Sequence, residues 1–352
     1  MLSDDLDRPS LIRAIENQLG VMRNIEGSRP VKLGTVSLSH ARLQETLEEF
    51  LALLNRNLPW DELDRLVREK FVFHQVGEGD EKQALFTGYY TPMIKASRTQ
   101  TEKYAYPLYQ MPESLFKPVL VKQGRLSGVY DDNYHSLYQV RNITREDIDA
   151  RNALANQNLE IAWLESDIER FFLHIQGSGI LKYEDGTSEG VQYAGSNGYP
   201  YEAIGRQMSR HGVLRGGDVS MQGIKNYLAG HPEDMPGYFY RNQRYIFFKL
   251  TRDLPRGSGG AELVPERSIA TDKSLYPAGG LVFVEGKKPI LNESNEVVEW
   301  AKFSRFVVDQ DTGNSIKGPG RVDLYFGIGE QAGAMAGRYV VRNRMFYLLK
   351  RE

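Results

Sequence analysis

A mainly β fold with peripheral helices is what this 352-residue sequence predicts, on two observations. Up to about Phe71 the apolar residues recur at helical spacing; after Val72 the chain runs in short β-rich segments bounded by turn residues. The helical stripes are Leu11, Ile15, Leu19 and Met22, then Leu43, Leu47, Phe50, Leu51 and Leu54, then Leu63, Val67 and Phe71, each read as a packing face. The β-rich runs are 84–90, 117–121, 171–175, 245–250, 281–284 and 345–349, enough for a sheet or barrel. One helix interrupts them: Gly216-Gly-Asp-Val-Ser220 supplies capping residues for 221–229, and Gly230 with Pro232 ends it. Residues 202–211 are a second helix candidate, and the Gly- and Ser-rich stretch 255–261 reads as a flexible loop before the last β block.

Composition narrows the function classes. Lys and Arg number 44 against 46 Asp and Glu, a net charge of −2, so no basic excess is available to hold a phosphate backbone and nucleic acid is excluded as a first reading. The chain has no cysteine, which removes thiol nucleophiles, disulfides and thiolate metal sites. Its acidic beginning lacks the cationic and apolar regions of a signal peptide, and no apolar run reaches membrane-spanning length; a removed signal or lipid anchor would leave no trace. The six histidines, 40, 74, 135, 174, 211 and 231, show no ligand spacing, so neither a catalytic metal nor another cofactor is expected. Twenty tyrosines and three tryptophans suit the flat faces of sugars as well as ordinary packing.

The most informative stretch runs from Asp311 to Gly327, where two acids, Asp311 and Asp323, bracket a glycine-rich turn carrying Lys317. Flanking valines and Leu324 and Phe326 put the acids on adjoining strand ends, either as a carboxylate site or as a solvated surface hairpin. Phe86-Thr-Gly-Tyr-Tyr-Thr-Pro92 ends a strand with paired rings and hydroxyls and fits a groove or a strand edge. The run 171–179 is read as a buried strand closing in a polar turn with Gln176 and Ser178, and His174 as a packed residue rather than a general base. Tyr193-Ala-Gly-Ser-Asn-Gly-Tyr-Pro-Tyr201 is compatible with a sugar subsite or a structural loop. Two other motifs fail. Gly327-Ile-Gly-Glu-Gln-Ala-Gly333 has the wrong glycine spacing for a dinucleotide loop, and Asp311-Thr-Gly lacks the second triplet that an aspartic protease needs to share its proton.

Taken together, these motifs resemble the membrane-bound lytic transglycosylase A family of peptidoglycan-cleaving enzymes. The motifs around Phe86, His174 and Tyr193, Ser220-Met-Gln222 and the closing block occur in the family's order. The closing block resembles the three-aspartate domain, with Asp272, Asp311 and Asp323 as its aspartates; Asn314 stands where the family usually has glycine, and asparagine tolerates the left-handed turn better than most residues. The resemblance implies a double-psi β-barrel domain, residues 1–91 and 213–352, and an inserted β domain, 92–212, with a substrate groove between them. It implies cleavage of the β-1,4 bond between N-acetylmuramic acid and N-acetylglucosamine, the muramyl 6-hydroxyl closing on C1 to give a 1,6-anhydro product. Asp323 would be the single acid and base, supported by Asp311 and Asp272. Thr87, Tyr90, Thr91, Gln176, Ser178, Gln222 and Lys317 would bind glycan, Lys317 facing substrate or another acid. No metal is implied. The implied partners are peptidoglycan strands and cell-wall enzyme complexes, the implied state a monomer, and the implied location the cell envelope, as a periplasmic enzyme or outer-membrane lipoprotein. A carbohydrate-binding barrel without catalysis is the alternative from another class, and an aspartic protease a distant third.

Overall fold

The computed structural model describes residues 2–112, 143–216, 219–253, 255–313 and 315–352, with the backbone of 116–117, 129–130 and 137–140. Expectations for 118–121, for 217–218 and for Asn314 lie outside the described residues. The N-terminal part contains α1 (Arg8–Met22), β1 (Pro30–Leu33), β2 (Val36–Ser39), α2 (His40–Asn55), α3 (Trp60–Lys70), β3 (Phe71–Val76) and β4 (Gln83–Thr91). There follow β5 (Met93–Ser97), β6 (Tyr106–Tyr109), β7 (Phe116–Lys117), β8 (Val129–Tyr130), β9 (Leu137–Val140), α4 (Arg145–Asp149), β10 (Glu160–Leu164), α5 (Asp167–Gln176), β11 (Ser178–Tyr183) and β12 (Ser188–Ser196). Next come α6 (Ile204–Arg210), α7 (Met221–Gly230), α8 (Met235–Phe239) and β13 (Ile246–Thr251). The last part holds β14 (Ser268–Ala270), β15 (Gly280–Leu291), β16 (Val297–Asp311), β17 (Arg321–Ile328), α9 (Glu330–Arg338) and β18 (Val341–Lys350). Among the described residues no helix is long and apolar enough to cross a membrane.

Two compact units result, Met1–Tyr90 with Leu254–Glu352, and Thr91–Asp253. In the first, strands run in the order β15-β16-β14-β17-β4-β18, and β18 pairs back onto β15, so the sheet closes into a six-stranded barrel with β3 added beside β18. Closure removes the open edges that an antiparallel sheet would otherwise expose. The three predicted helices bury their stripes in the same core: Phe50 of α2 stands 4.7 Å from Phe306, which meets Phe283 at 4.8 Å. Asp7 caps α1 by accepting from the Ser10 amide, and Pro9 sits in its first turn, where its missing N–H costs nothing.

The chain's beginning is fastened to this barrel through two buried arginines. Asp4 takes two hydrogen bonds from the Arg267 guanidinium, at 2.7 and 2.8 Å, and one from the Phe306 amide at 2.9 Å; both members of the Asp4–Arg267 pair have fully buried side chains. Arg305 is held in the same way by Asp5 and Glu266.

The second unit is built on a six-stranded sheet of order β13-β12-β11-β5-β10-β6, in which β5 and β11 run parallel. Residues 171–175, expected as a strand, are helical in α5. Ser166 caps that helix, Asp167 and Glu169 sit where its dipole favours acids, and Gly177 ends it with a left-handed φ of 77°. The run is apolar because it packs into two cores at once, Phe171 and Phe172 into the one shared by helices α5 to α8, with Phe171 stacked on Phe239 at 4.1 Å, and Leu173 into the core of the sheet, so its five residues show no alternation of their own. The second domain boundary also moves. Residues 213–253, expected with the barrel, lie in the second unit because β13 pairs with β12 and α7 and α8 pack on α5 and α6.

His174, on α5, is a packed residue. Its ring lies 4.4 Å from that of Tyr245 and 5.5 Å from that of Phe248, and among the described residues neither ring nitrogen has a hydrogen-bond partner. Burial, then the charges of Arg145 and Arg170, push its pKa well below the ordinary 6.5. The folded ring is therefore neutral while the unfolded one takes up a proton below 6.5, so stability is complete above that pH and falls as the pH drops through it. Between pH 8 and pH 5 the parent is expected to lose stability relative to His174→Phe in denaturant unfolding, the difference isolating His174 from the other groups that titrate in this range, such as His40, His74 and Asp323. Equal losses in both proteins would contradict this placement.

Candidate active site

Three strands set the acids in a row. Ala270 of β14 pairs with Asp311 of β16 on one side and with Asp323 of β17 on the other, so all three share a face. At about 5 Å per strand step the two acids are roughly 10 Å apart at Cα, with only a methyl group between them. A bulge at Gln310 puts two β16 residues against one step of β14 and aims the Gln310 side chain the other way, onto α1 at Ala14 and Gln18.

Asp323 is met by β4. The Thr87 hydroxyl donates to Asp323 Oδ1, and Arg321 Nη2 in turn donates to Thr87 Oγ1 at 3.2 Å, while Nη1 of the same guanidinium reaches the Leu85 carbonyl at 3.4 Å. Burial lifts the Asp323 carboxyl, the Arg321 charge opposes that, the Asp311 charge adds to it, and its pKa rises from 3.8 to about 6. The negative neighbour expected for Asp323 is thus Asp311.

Asp311 is far better supplied with donors. Its Oδ1 accepts the backbone amides of Ser258 and Thr312, each at 2.8 Å, and its Oδ2 accepts the Tyr89 hydroxyl at 3.0 Å. Burial is the largest influence on its pKa and the net shift is upward, although these three hydrogen bonds and the Lys273 charge work against it. The Ser258 amide comes from the glycine-rich stretch expected to be merely flexible. Gly257 packs on the Gln310 backbone, where a Cβ would lie 2.3 Å from the carbonyl oxygen, so only glycine lets this loop approach Asp311 so closely.

Asp272 has a different position. Its Oδ1 accepts from the Ser274 amide and hydroxyl at 3.0 and 2.7 Å, and its Oδ2 from the Gly318 amide at 2.8 Å. Burial would raise its pKa, but these donors and the Lys317 charge more than offset that and the net shift is downward. Asp272 ties its own turn to the loop between the other two aspartates, which Tyr276 also holds through the Pro319 carbonyl at 2.9 Å. Lys317 is exposed and acts on this acid.

Sequence reasoning missed four members of this region. Tyr89 sits in the very motif from which Tyr90 was selected, yet it is Tyr89 that reaches Asp311, while the Tyr90 ring lies over Gly333 of α9, where a Cβ would stand 2.8 Å away. Alternation along β4 from Thr87 would have picked it out. Arg321, two residues before Asp323 and on its face, was legible by the same rule. Asp309 is fully buried and accepts from Thr271 and Tyr347, each at 2.6 Å, and from Lys273. Ser258 acts through its backbone and carries no signal in its side chain.

The remaining expected binding residues belong to the second unit. Thr91 is only 3% exposed. Gln176, at the end of α5, has its amide 3.9 Å from the Met221 sulfur, which brings it beside the start of α7; there Gln222 is exposed and donates to Asn226 at 2.7 Å. Ser178 opens β11 opposite Gln192 of β12.

Comparison with known proteins gives the same picture. Residues 85–249 match the MltA specific insert domain and residues 267–350 the 3D domain. The membrane-bound lytic murein transglycosylase A of Escherichia coli K12 is 32% identical over 266 residues, covering 75% of this chain; the chain spans 65% of that relative's own length. A crystal structure of membrane-bound lytic murein transglycosylase from Agrobacterium tumefaciens superposes with a TM-score of 0.78 at 27% identity, over 98% of this chain and 93% of that one. The structure of E. coli MltA with bound chitohexaose gives 0.73 at 26% identity, over 100% and 93%. With both domain types present in order, and the three aspartates at the strand ends and turn that the 3D domain spans, this chain belongs to the membrane-bound lytic murein transglycosylase A family.

Proposed function

We propose that this protein is a peptidoglycan lytic transglycosylase that cleaves the bond between N-acetylmuramic acid and N-acetylglucosamine at the cell envelope and leaves 1,6-anhydromuramic acid ends. The observation that carries this reading is the unlike treatment of the two acids. Asp323, with a pKa of about 6, can hold a proton near neutrality and give it up to a leaving oxygen. Asp311 is committed: both its oxygens are occupied by donors, which makes it a poor nucleophile and a poor base for water. An ordinary glycosidase needs a second free carboxylate for one of those tasks. A substrate that supplies its own 6-hydroxyl does not.

The steps balance on one side chain. Asp323 donates its proton to the glycosidic oxygen as the C1–O4 bond breaks; the resulting carboxylate then takes the proton of the muramyl 6-hydroxyl as O6 bonds to C1. Asp323 ends as it began, and no water is consumed. Burial, with the Asp311 charge adding to it, keeps the proton on Asp323 beforehand, and Asp272 keeps the intervening loop in place. The chitohexaose bound by the E. coli relative supports a glycan ligand of this length class. A passive carbohydrate-binding barrel has no use for a carboxyl raised to about 6. A protease dyad would need the two carboxyls in contact rather than separated by Ala270.

The test is product analysis. Purified sacculi incubated with the protein, with and without EDTA, are expected to yield the same anhydromuropeptides by mass spectrometry. Reducing-end products, or activity lost in EDTA and restored by zinc, would refute the proposal.

A further inference from the structure

The Thr87 hydroxyl owns one proton and two lone pairs, whereas a guanidinium can only donate. Arg321 Nη2, 3.2 Å from Thr87 Oγ1, therefore takes up a lone pair, and the proton of Thr87 is left to point at Asp323 Oδ1, the atom it bonds. The Leu85 carbonyl, 3.4 Å from Nη1, anchors the guanidinium to β4, so its plane is fixed at two points. The charged or titratable groups facing Asp323 are Arg321 on its own strand, Asp311 on β16 and Tyr89 on β4; β14 presents only Ala270.

We propose that Arg321 is a positioning residue: acting through Thr87, it reserves Oδ1 of Asp323 as a hydrogen-bond acceptor and leaves Oδ2 as the oxygen that delivers and recovers the proton. The inference rests on the transglycosylase reading for its chemistry, but not for its geometry. Arg321 acts in two separable ways. Its fork orients the Thr87 hydroxyl, which governs rate. Its positive charge favours the carboxylate, which governs the pH at which Asp323 loses its proton.

A double-mutant cycle of Arg321→Gln and Thr87→Val separates them, with Arg321→Lys and Thr87→Ser as conservative controls and thermal melting to verify folding. Two quantities are read across pH: release of soluble muropeptides from sacculi, and titration of the Asp323 carboxyl by NMR of labelled protein. R321Q is expected to move the Asp323 midpoint upward in both Thr87 backgrounds and to carry the alkaline limb of the rate with it. At the optimum pH it should slow release roughly ten-fold in the parent background and far less in T87V, the coupling expected of neighbours in one hydrogen-bond network. R321K should hold the midpoint while recovering only part of the rate, and T87S should behave as the parent. An unchanged midpoint in R321Q, or equal rate losses in both backgrounds, overturns the proposal. If even the parent releases nothing, the transglycosylase reading fails by itself, and the NMR midpoints still decide whether Arg321 acts on Asp323.

Discussion

Asp323→Asn is expected to abolish release of anhydromuropeptides while making the protein more stable at neutral pH. The amide keeps the shape of the side chain and an oxygen to accept the Thr87 hydroxyl, but it cannot cycle a proton; positioned acid–base catalysis contributes roughly 100- to 10,000-fold, and here one group performs both halves. The stability gain follows from the raised pKa. Folding disfavours the Asp323 carboxylate, so no cost exists below pH 3.8, where folded and unfolded forms are both protonated, and the cost builds as the pH rises to about 6. Above that it is about 3 kcal/mol, from the rise of 3.8 to about 6 at 1.36 kcal/mol per unit, and asparagine escapes it. Asp311→Asn should keep partial activity, with the alkaline limb moved to lower pH because Asp323 loses its negative neighbour. A Asp323→Asn protein that turns over like the parent, set against a dead Asp311→Asn, would transfer the catalytic role to Asp311.

Asp4→Ala is expected to cost about 3–5 kcal/mol, because it strands the fully buried Arg267 guanidinium without its partner and also deprives the Phe306 amide of an acceptor. The neighbouring carbonyls of Asp7 and Phe306 still accept from Arg267, but they carry no full charge. Replacing both members, with Asp4→Leu and Arg267→Met, should recover much of the loss, since a buried pair is weakly stabilising compared with apolar residues of similar size. Denaturant midpoints of the three proteins decide it. A single variant that unfolds with the parent would mean that the N-terminal fastening contributes nothing to the barrel.

Much of this architecture was written in local patterns. The stripes of α1, α2 and α3 have the period of a half-buried helix, and the runs that became β4, β13, β15 and β18 have strand composition and turn residues at their ends. The acids of the closing block were legible because polar residues at apolar strand ends are unusual. Helix α5 was misread because its buried half, 171–175, is a short apolar run that reads the same in a helix as in a buried strand, and only Ser166 and Gly177 mark the helix ends. The destination of residues 213–253 depends on β13 choosing β12 as its partner, a long-range pairing that no local pattern encodes. The site itself is assembled from residues far apart in the chain: Thr87 and Tyr89 from β4, Ser258 from a loop, and Asp311 and Asp323 from two later strands. Sequence could nominate the acids, but the donors that occupy both oxygens of Asp311 and leave Asp323 to carry a proton appear only when the barrel closes.

The central claim is that the nucleophile belongs to the substrate. Digestion of sacculi in water enriched in heavy oxygen tests it most directly, with mass spectrometry of the newly formed muramic acid ends. Intramolecular closure predicts anhydro ends, lighter than hydrolysed ends by one water, carrying no label at any pH where the protein is active. Labelled reducing ends, formed at the same rate and lost in Asp323→Asn, would show that water attacks C1 and that this site works as a hydrolase.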